Sequence, residues 1–580
     1  MATQDKATIN NTPEAAVEDE APAISVPDAG DSGEGGKLKM ISQLVKKSLG
    51  VKDIAAMRLS LPASLLEPIP NLEYWHYLDR PDLFAAINDS NDAFERMLAV
   101  VRFTFTKDLK FVHGKVCKPY NSVLGEHFRA HWDVPPVQYP SDPTQPPIVR
   151  THVVHGTTGG TAITGGSTMS VPIPSETLSV RSGRSSKSTR SALSLRNTKS
   201  ATSPSTAATS PLPASGALDP SLPGQMSSLS LGEGEDAAAE GEDTVRITYL
   251  TEQVSHHPPV SAYHAACPER GVELCGIDQI SAKISGTAVR VAPGAFNRGV
   301  FVRITDGAGK GEKYHITHPI ASVNGILRGS FYITVGDSTI VTCTGGEGRE
   351  AANLRAVIEY KEESWIGKSR FLVEAVIHTY DPRGTEHEAW TKVKHVPQSR
   401  VLAVFDGCWR THIRWKRVAN FSPPSPSSSS SSTPSGGSSS SSATSSASTS
   451  PSPGAGTSTT SLQGEADWAP LVDLASLHVV PKRVRPLGKQ DEYESRKLWE
   501  PVTSRLVKKE YGEATKHKLA IEQRQRDRAA ERKRVGEEFV PKYFEEDITT
   551  GEPVLTDAGR KALEEELAEE EDGPAVAESS

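Results

Sequence analysis

The period of the apolar positions changes along the chain and divides it. Leu38, Ile41, Val45 and Leu49 recur at spacings of three and four with Lys37, Lys39, Lys46 and Lys47 around them, which predicts a short basic amphipathic helix. Residues Leu72 to Val101 also read as helical, with Asp82 or Asp89 in a capping position. "FVHGKVCKPYNSVLGEHFRAHWDV" follows as a strand, a proline-containing turn and another strand. From Thr244 onward the period falls to two. "TVRITYL" alternates Val245, Ile247 and Tyr249 with polar neighbours, and "GTAVRVA", "GVFVRIT", "GSFYITV", "STIVTCT", "LRAVIEY" and "FLVEAVIH" repeat the pattern between Gly, Asn and Asp. Later, "SRKLWEPVTSRLVKKEYGEATKHKLAIEQRQRDRAAERKRVGEEF" is rich in charge and in helix formers.

So many strands predict a mainly β protein with helices, of the α+β class. An open antiparallel sheet of this size would leave long edges exposed, so a large incomplete antiparallel β-barrel around a cavity is expected, with tandem sandwiches as the alternative. Two tracts have neither period, residues 155–242 and 421–466, both dominated by Ser, Thr, Gly and Pro. They leave a disordered tail over 1–36 and a folded part over 37–420 that contains the first insertion. After the second insertion come a C-terminal helical part of the same domain over 467–545 and an acidic tail over 546–580.

These tracts explain why only 36% of the 580 residues are hydrophobic and 6% aromatic. Such segments cannot bury enough apolar surface to offset their ordering entropy, and roughly 390 residues remain for one large core. A net charge of −8 argues against nucleic-acid binding, while leaving room for local basic patches. Cys117, Cys267, Cys275, Cys343 and Cys408 are scattered and never spaced C-x-x-C, which points away from a disulfide framework or thiolate zinc site and towards a reducing cytosol. The first residues lack a basic-then-apolar signal pattern, and no apolar run nears the ~20 residues that span a bilayer. A membrane would be met at its surface.

The chemistry turns on "EQVSHHPPVSAYH", Glu252 to His264. A metal needs three or four convergent ligands, whereas His256 and His257 on a strand would point to opposite faces, so no metal is expected, nor any cofactor. Pro258 biases His257 to extended conformations and Pro259 ends any ladder, which puts the pair at a rim. Ser255 beside His256 lacks a G-x-S-x-G elbow. Gly367-Lys368-Ser369 lacks the leading glycine of a phosphate loop, that position being Glu362. No catalytic residues are therefore assigned, and the chain is not expected to be an enzyme. On a helix, Lys518, Glu522 and Arg526 fall within an arc of about 80 degrees and can face one ligand; the plainer alternative is an i,i+4 ladder on a solvated surface.

Read together, "KPYNSVLGEHF", "EQVSHHPP" and the helix with Lys518, Glu522 and Arg526 resemble the oxysterol-binding-protein-related family of lipid-transfer proteins, in its short form without PH or ankyrin domains. The signature EQVSHHPP is intact, and the resemblance continues through "GSFYITV", "EYKEESW" and "KLWEPVT". It implies an incomplete β-barrel around a tunnel for one lipid, an N-terminal lid, and alternate loading with phosphatidylinositol 4-phosphate or a second lipid. Carried onto this sequence, it has the headgroup held by Lys118, Asn121, His256, His257, Lys518 and Arg526, with Glu522 positioning its basic neighbours. Ser122 stands where the family pattern often has proline, from which only a local change in loop stiffness is expected.

The chemistry of the implied ligand suits these residues. A phosphomonoester carries close to two negative charges near neutral pH and is held best by convergent charge-assisted donors, which ammonium, guanidinium and imidazolium groups supply. Each CH₂ of a lipid tail exposed to water costs about 0.8 kcal/mol, so a carrier must also seal its tunnel. Leu38, Ile41, Val45, Leu49, Ile54, Met57, Leu59 and Leu61 are the candidate seal, and the nearby lysines suit an anionic membrane surface. The expected function is exchange of phosphatidylinositol 4-phosphate for a second lipid between membranes through the cytosol, endoplasmic reticulum contact sites included. Phosphatidylserine is favoured as that lipid because "KDIAAMRLSLPASLLEP" resembles the lid of the phosphatidylserine-carrying branch, and sterol comes next. Two other classes compete: a non-transporting lipid sensor or scaffold with phosphorylation-tuned serine tracts, and a lipid hydrolase using Ser255 or the histidines.

Overall fold

Among the described residues the alternating segments form one antiparallel sheet of fifteen strands. In chain order these are β1 His127–Val134, β2 Val245–Ser255, β3 Val260–Cys267, β4 Val272–Asp278, β5 Ile280–Ser285, β6 Ala288–Pro293, β7 Val300–Ile304 and β8 Glu312–Ile316. They continue as β9 Ile320–Asn324, β10 Tyr332–Gly345, β11 Leu354–Tyr360, β12 Leu372–Thr379, β13 Val401–Cys408, β14 His412–Arg417 and β15 Ala469–Asp473. The computed structural model describes residues 24–25, 59–60, 66–113, 118–142, 145–151, 244–286, 288–325, 332–346, 353–363, 369–418 and 468–569. The lid residues Leu38, Ile41, Val45, Leu49, Ile54, Met57 and Leu61, both insertions, and the chain beyond 569 lie outside the described residues. Leu59–Ser60 is described only as a two-residue strand paired in parallel with Ile24–Ser25.

Neighbouring strands run β15-β14-β13-β12-β11-β10-β8-β7-β4-β3-β2-β1, and β9, β6 and β5 form a branch on β10. The long β10 makes this possible: residues Tyr332 to Gly336 pair with β9, Asp337 to Thr342 with β11, and Val341 to Gly345 with β8. The end strands β1 and β15 do not pair with each other, so the sheet is an incomplete barrel and not tandem sandwiches.

Among the described residues four helices longer than two turns accompany it: α1 Ala93–Thr106, α2 Ser495–Val507, α3 Tyr511–Val535 and α4 Asp557–Leu567. The continuous helix expected over Leu72–Val101 is instead broken into Asn71–Tyr74, Pro81–Ala85 and α1. Tyr77 sits at φ +54°, and Pro81 supplies no backbone donor, so one ladder cannot run through. Neither expected cap is used. Asp92 caps α1, its Oδ1 accepting from the Phe94 and Glu95 amides at 2.9 and 3.0 Å, while Asp82 pairs with buried Arg80 and Asp89 accepts from Tyr139. Asp92→Ala is expected to lower stability by about 1 kcal/mol, read from the midpoint of urea unfolding.

Strands β1 to β4 are covered on both faces. Their inner face presents Trp132, Tyr249, Tyr263 and Leu274 to the N-terminal helices and the break between them, at Leu78, Phe84, Met97 and Phe103. Their outer face presents Leu250, Ala262 and Ile277 to Tyr543, Phe544, Ile548 and Leu563. Residues 546–569 are therefore part of the fold and not the acidic tail expected from their composition. The reason is periodic: Leu563 and Glu566 share one face of α4, Leu563 entering that apolar cluster and Glu566 meeting the polar residues of β1. Fully buried Glu566 meets His131 Nδ1 at 2.8 Å and stands 3.4 Å from Arg129 Nε, while half-exposed Glu565 meets Arg129 Nη1 at 3.1 Å, so a carboxylate that reads as solvent-facing lies between layers beside a guanidinium.

Candidate functional site

The hairpin of β2 and β3 turns at His256–Pro259, with a cis peptide between His257 and Pro258. In this turn the two imidazoles lie 4.5 Å apart between ring centroids, inclined at 63°, instead of on opposite faces as in a continuous strand. Gln253 braces the base of the hairpin: its amide donates to the Ser255 carbonyl at 2.6 Å, and its oxygen accepts from the Ser261 hydroxyl at 2.8 Å.

The segment 118–126 joins β2 directly. Gly125 N donates to the Gln253 carbonyl at 2.9 Å and Gln253 N donates to the Glu126 carbonyl at 2.8 Å, three residues before His256. Gly125 is required twice over at this join, having φ +79° and a Phe539 ring 3.2 Å from where a Cβ would stand. At the other end, Lys118 Nζ donates to Asn121 Oδ1 at 2.7 Å, and both side chains are exposed. Ser122 is buried, and its hydroxyl has no hydrogen-bond partner among the described residues.

Glu126 ties this segment to α2. It is fully buried and accepts from Ser495 Oγ at 2.7 Å, Trp499 Nε1 at 3.0 Å and the Val123 amide at 3.0 Å. Burial pushes its carboxyl up to about 7, and the three donors pull only part of the way back. Glu252 does similar work towards the C-terminus, accepting from the Lys542 and Tyr543 amides at 2.8 Å each.

Helix α3 completes the arrangement. Its buried stripe is Ala514, Lys518, Ile521 and Gln525, at the spacing of one helical face. Ala514 and Ile521 share a small apolar core with Tyr120 and Val123 of the loop and Leu498, Trp499 and Val502 of α2. The residues flanking Asn121 and those within the Lys518–Glu522 turn thus enter one cluster. Lys518 Nζ meets Glu522 Oε1 at 2.5 Å with the lysine side chain 5% exposed, so a cation is held in place beneath the surface. Arg526 is half-buried and donates from Nε and Nη2 to Gln523 at 3.0 and 2.8 Å. Glu522 therefore serves Lys518, while Arg526 is oriented by a residue that sequence reasoning did not single out.

Gln253, Glu126, Ser495, Trp499 and Gln523 were not assigned roles from the sequence. Gln253 lies in "EQVSHHPP", Glu126 in "LGEHF" and Trp499 in "KLWEPVT", whereas nothing local marked Ser495 and Gln523. Inside the sheet lies a second polar group: Tyr77 donates to Asp278 at 2.6 Å, and fully buried Tyr263 stands 5.4 Å from the Tyr77 ring with its hydroxyl unpartnered among the described residues. Burial pushes the Asp278 carboxyl up to about 6. A separate cleft of about 470 Å³ opens at the far end of β3, around Arg270 and Gly271, but Asp89, Glu269 and Asp306 line it and disfavour a phosphate. Among the described residues no group of His, Cys, Asp and Glu is arranged to hold a metal ion, and no helix is long and apolar enough to cross a membrane.

The family model for oxysterol-binding protein matches residues 40–159 and 234–565. The chain is similar to oxysterol-binding protein-like protein 1 of Schizosaccharomyces pombe, 41% identical over 543 residues that span 93% of this chain and 92% of that protein. It is 25% identical to human oxysterol-binding protein-related protein 11 over 84% of this chain but only 45% of that longer protein. Among solved structures it is similar to the Osh1 ORD domain in complex with cholesterol, at TM-score 0.48 and 17% identity over 91% of this chain and 90% of that one. It is also similar to the Osh3 ORD of Saccharomyces cerevisiae in complex with PI(4)P, at TM-score 0.46 and 13% identity over 92% and 93%.

Proposed function

This chain belongs to the oxysterol-binding protein family, and on that premise we propose that it is a lipid carrier. It grips the headgroup of phosphatidylinositol 4-phosphate with Lys118, Asn121, His256, His257, Lys518 and Arg526, stores the tails in a tunnel, and exchanges this lipid for another between membranes. The observation that supports the reading best is the shared anchoring of three segments far apart in sequence. Hydrogen bonds join the 118–126 loop to the histidine turn through Gly125 and Gln253, and one apolar cluster joins that loop to α3 beside Lys518. Cations and imidazoles carried by such braced elements lose little freedom when a doubly charged phosphate arrives.

Two lipids compete for the second place. Phosphatidylserine is favoured by the resemblance of the lid sequence, and sterol by the Tyr263 hydroxyl beside the Tyr77–Asp278 pair. A buried hydroxyl without a partner is costly, and the single hydroxyl of a sterol inside an apolar core would satisfy it. The lipids recovered with protein purified from cells, identified by mass spectrometry, separate the two: sterol alone ends the phosphatidylserine proposal, and phosphatidylserine alone ends the sterol one.

Transport itself is tested by moving labelled phosphatidylinositol 4-phosphate between donor and acceptor vesicles. Net transfer in both directions, accelerated by the counter-lipid, is the expected result. Binding without transfer would favour the sensor, and turnover of the phosphoinositide that disappears with His256→Ala would establish a hydrolase instead.

A further inference from the structure

The branch of the sheet made by β5, β6, β9 and the first half of β10 is sorted by face. Its registers align Ala282, Val291, Ala321 and Val335 in one cross-strand row and Ile284, Val289, Val323 and Ile333 in another, so one face is apolar. The row between them points to the opposite face and reads Lys283, Arg290, Ser322 and Thr334. Lys283 and Arg290 stand directly opposite each other on adjacent strands, and both are exposed.

Like charges in direct cross-strand register destabilise a sheet unless something compensates them. Nothing in the described residues does. The rest of this face consists of Ser, Ala, Asn, Ile, Gly and the 41% exposed Tyr332, without a single carboxylate. In a chain of net charge −8, four adjoining strand faces carrying cations, hydroxyls and a phenol but no acid form a local positive surface. A sheet face of this kind offers extended contact to many anions, not a pocket for one.

We propose that this face of the branch docks on an anionic bilayer, with Lys283 and Arg290 among the lipid phosphates and carboxylates and Tyr332 at headgroup depth. The proposal rests on the lipid-carrier reading, which requires repeated visits to membranes. It names the surface that makes them and is separate from the headgroup residues.

The test compares the full-length chain with the double variant Lys283→Gln/Arg290→Gln. Sedimentation is measured with vesicles of phosphatidylcholine alone and of phosphatidylcholine doped with phosphatidylserine, and loading is measured with a soluble short-chain phosphatidylinositol 4-phosphate. Removing both cations is expected to weaken binding to the anionic vesicles about thirty-fold, to leave neutral vesicles unaffected, and to leave loading unchanged. Lys283→Arg should retain wild-type binding, because charge and not shape is used. Wild-type vesicle binding by the double variant would overturn the proposal. So would a loss of binding confined to a phosphopeptide or polyanion probe. If neither protein loads the short-chain lipid while the vesicle difference persists, the carrier reading fails and the docking surface stands.

Discussion

Replacing His256 and His257 together by alanine is expected to lower phosphatidylinositol 4-phosphate loading by about 100-fold or more while leaving the second cargo bound. Hydrogen bonds to a charged group contribute about 1.5–3 kcal/mol each, and the turn presents two rings 4.5 Å apart. Losing both removes the only imidazoles assigned to the phosphate, although the lysines still attract it weakly through water. The turn itself should survive, since its geometry is held by Gln253, Ser261 and the strand register, none of which uses the imidazoles. Short-chain phosphoinositide binding by calorimetry, beside a lipid inventory of each protein, reads both effects. Undiminished phosphoinositide binding would show that the headgroup lies elsewhere.

The second large effect is expected at Glu126. Truncation to alanine leaves the Val123 amide, the Ser495 hydroxyl and the Trp499 indole buried without their acceptor, which should destabilise the protein by about 3–5 kcal/mol. Loading should fall with it, because Glu126 holds the Lys118–Asn121 loop against α2. The same residue makes stability depend on pH. Its carboxyl is raised from an ordinary 4.5 to about 7 by burial, so the folded protein keeps a proton that the unfolded chain has already released. That contribution is fully present below 4.5 and is lost as pH rises through about 7, amounting to about 3 kcal/mol across the window. Glu126→Gln removes the titration. Its unfolding free energy, measured by denaturant from acid to neutral pH, should lack this decline relative to wild type; parallel curves for the two proteins would assign the proton to another group. Asp278, raised to about 6, contributes a decline of the same sign that persists in the variant.

How much of this could be read in advance follows from the range of each interaction. The strands were legible because a two-residue period is written locally, and β2, β6, β7, β11 and β12 fall on segments with that period. The histidine turn was legible because two prolines end a ladder wherever they occur. The spacing of Lys518 and Glu522 was equally local, and the pair is made. Arg526 shows the limit: at the same spacing it bonds Gln523, because i,i+3 and i,i+4 neighbours compete on a helix and sequence does not choose between them. The cap of α1 and the acidic C-terminus failed for a related reason. Asp82 is spent on Arg80 two residues before it and Asp89 on Tyr139 fifty residues away, and α4 is acidic yet carries Leu563 into a core prepared by Leu250, Ala262 and Ile277.

What the sequence alone determined is therefore the set of parts: a mainly β chain, an intact EQVSHHPP turn, a basic helix with an ionic pair, and long tracts of Ser, Thr, Gly and Pro with neither period. The tertiary structure decided that the 118–126 loop, α2 and α3 meet. Burial of Tyr120, Val123, Trp499 and Ile521 in one cluster, and of a single carboxylate under three donors, brings segments hundreds of residues apart to one place. Such contacts depend on which surfaces exclude water together, and no local pattern of residues encodes that.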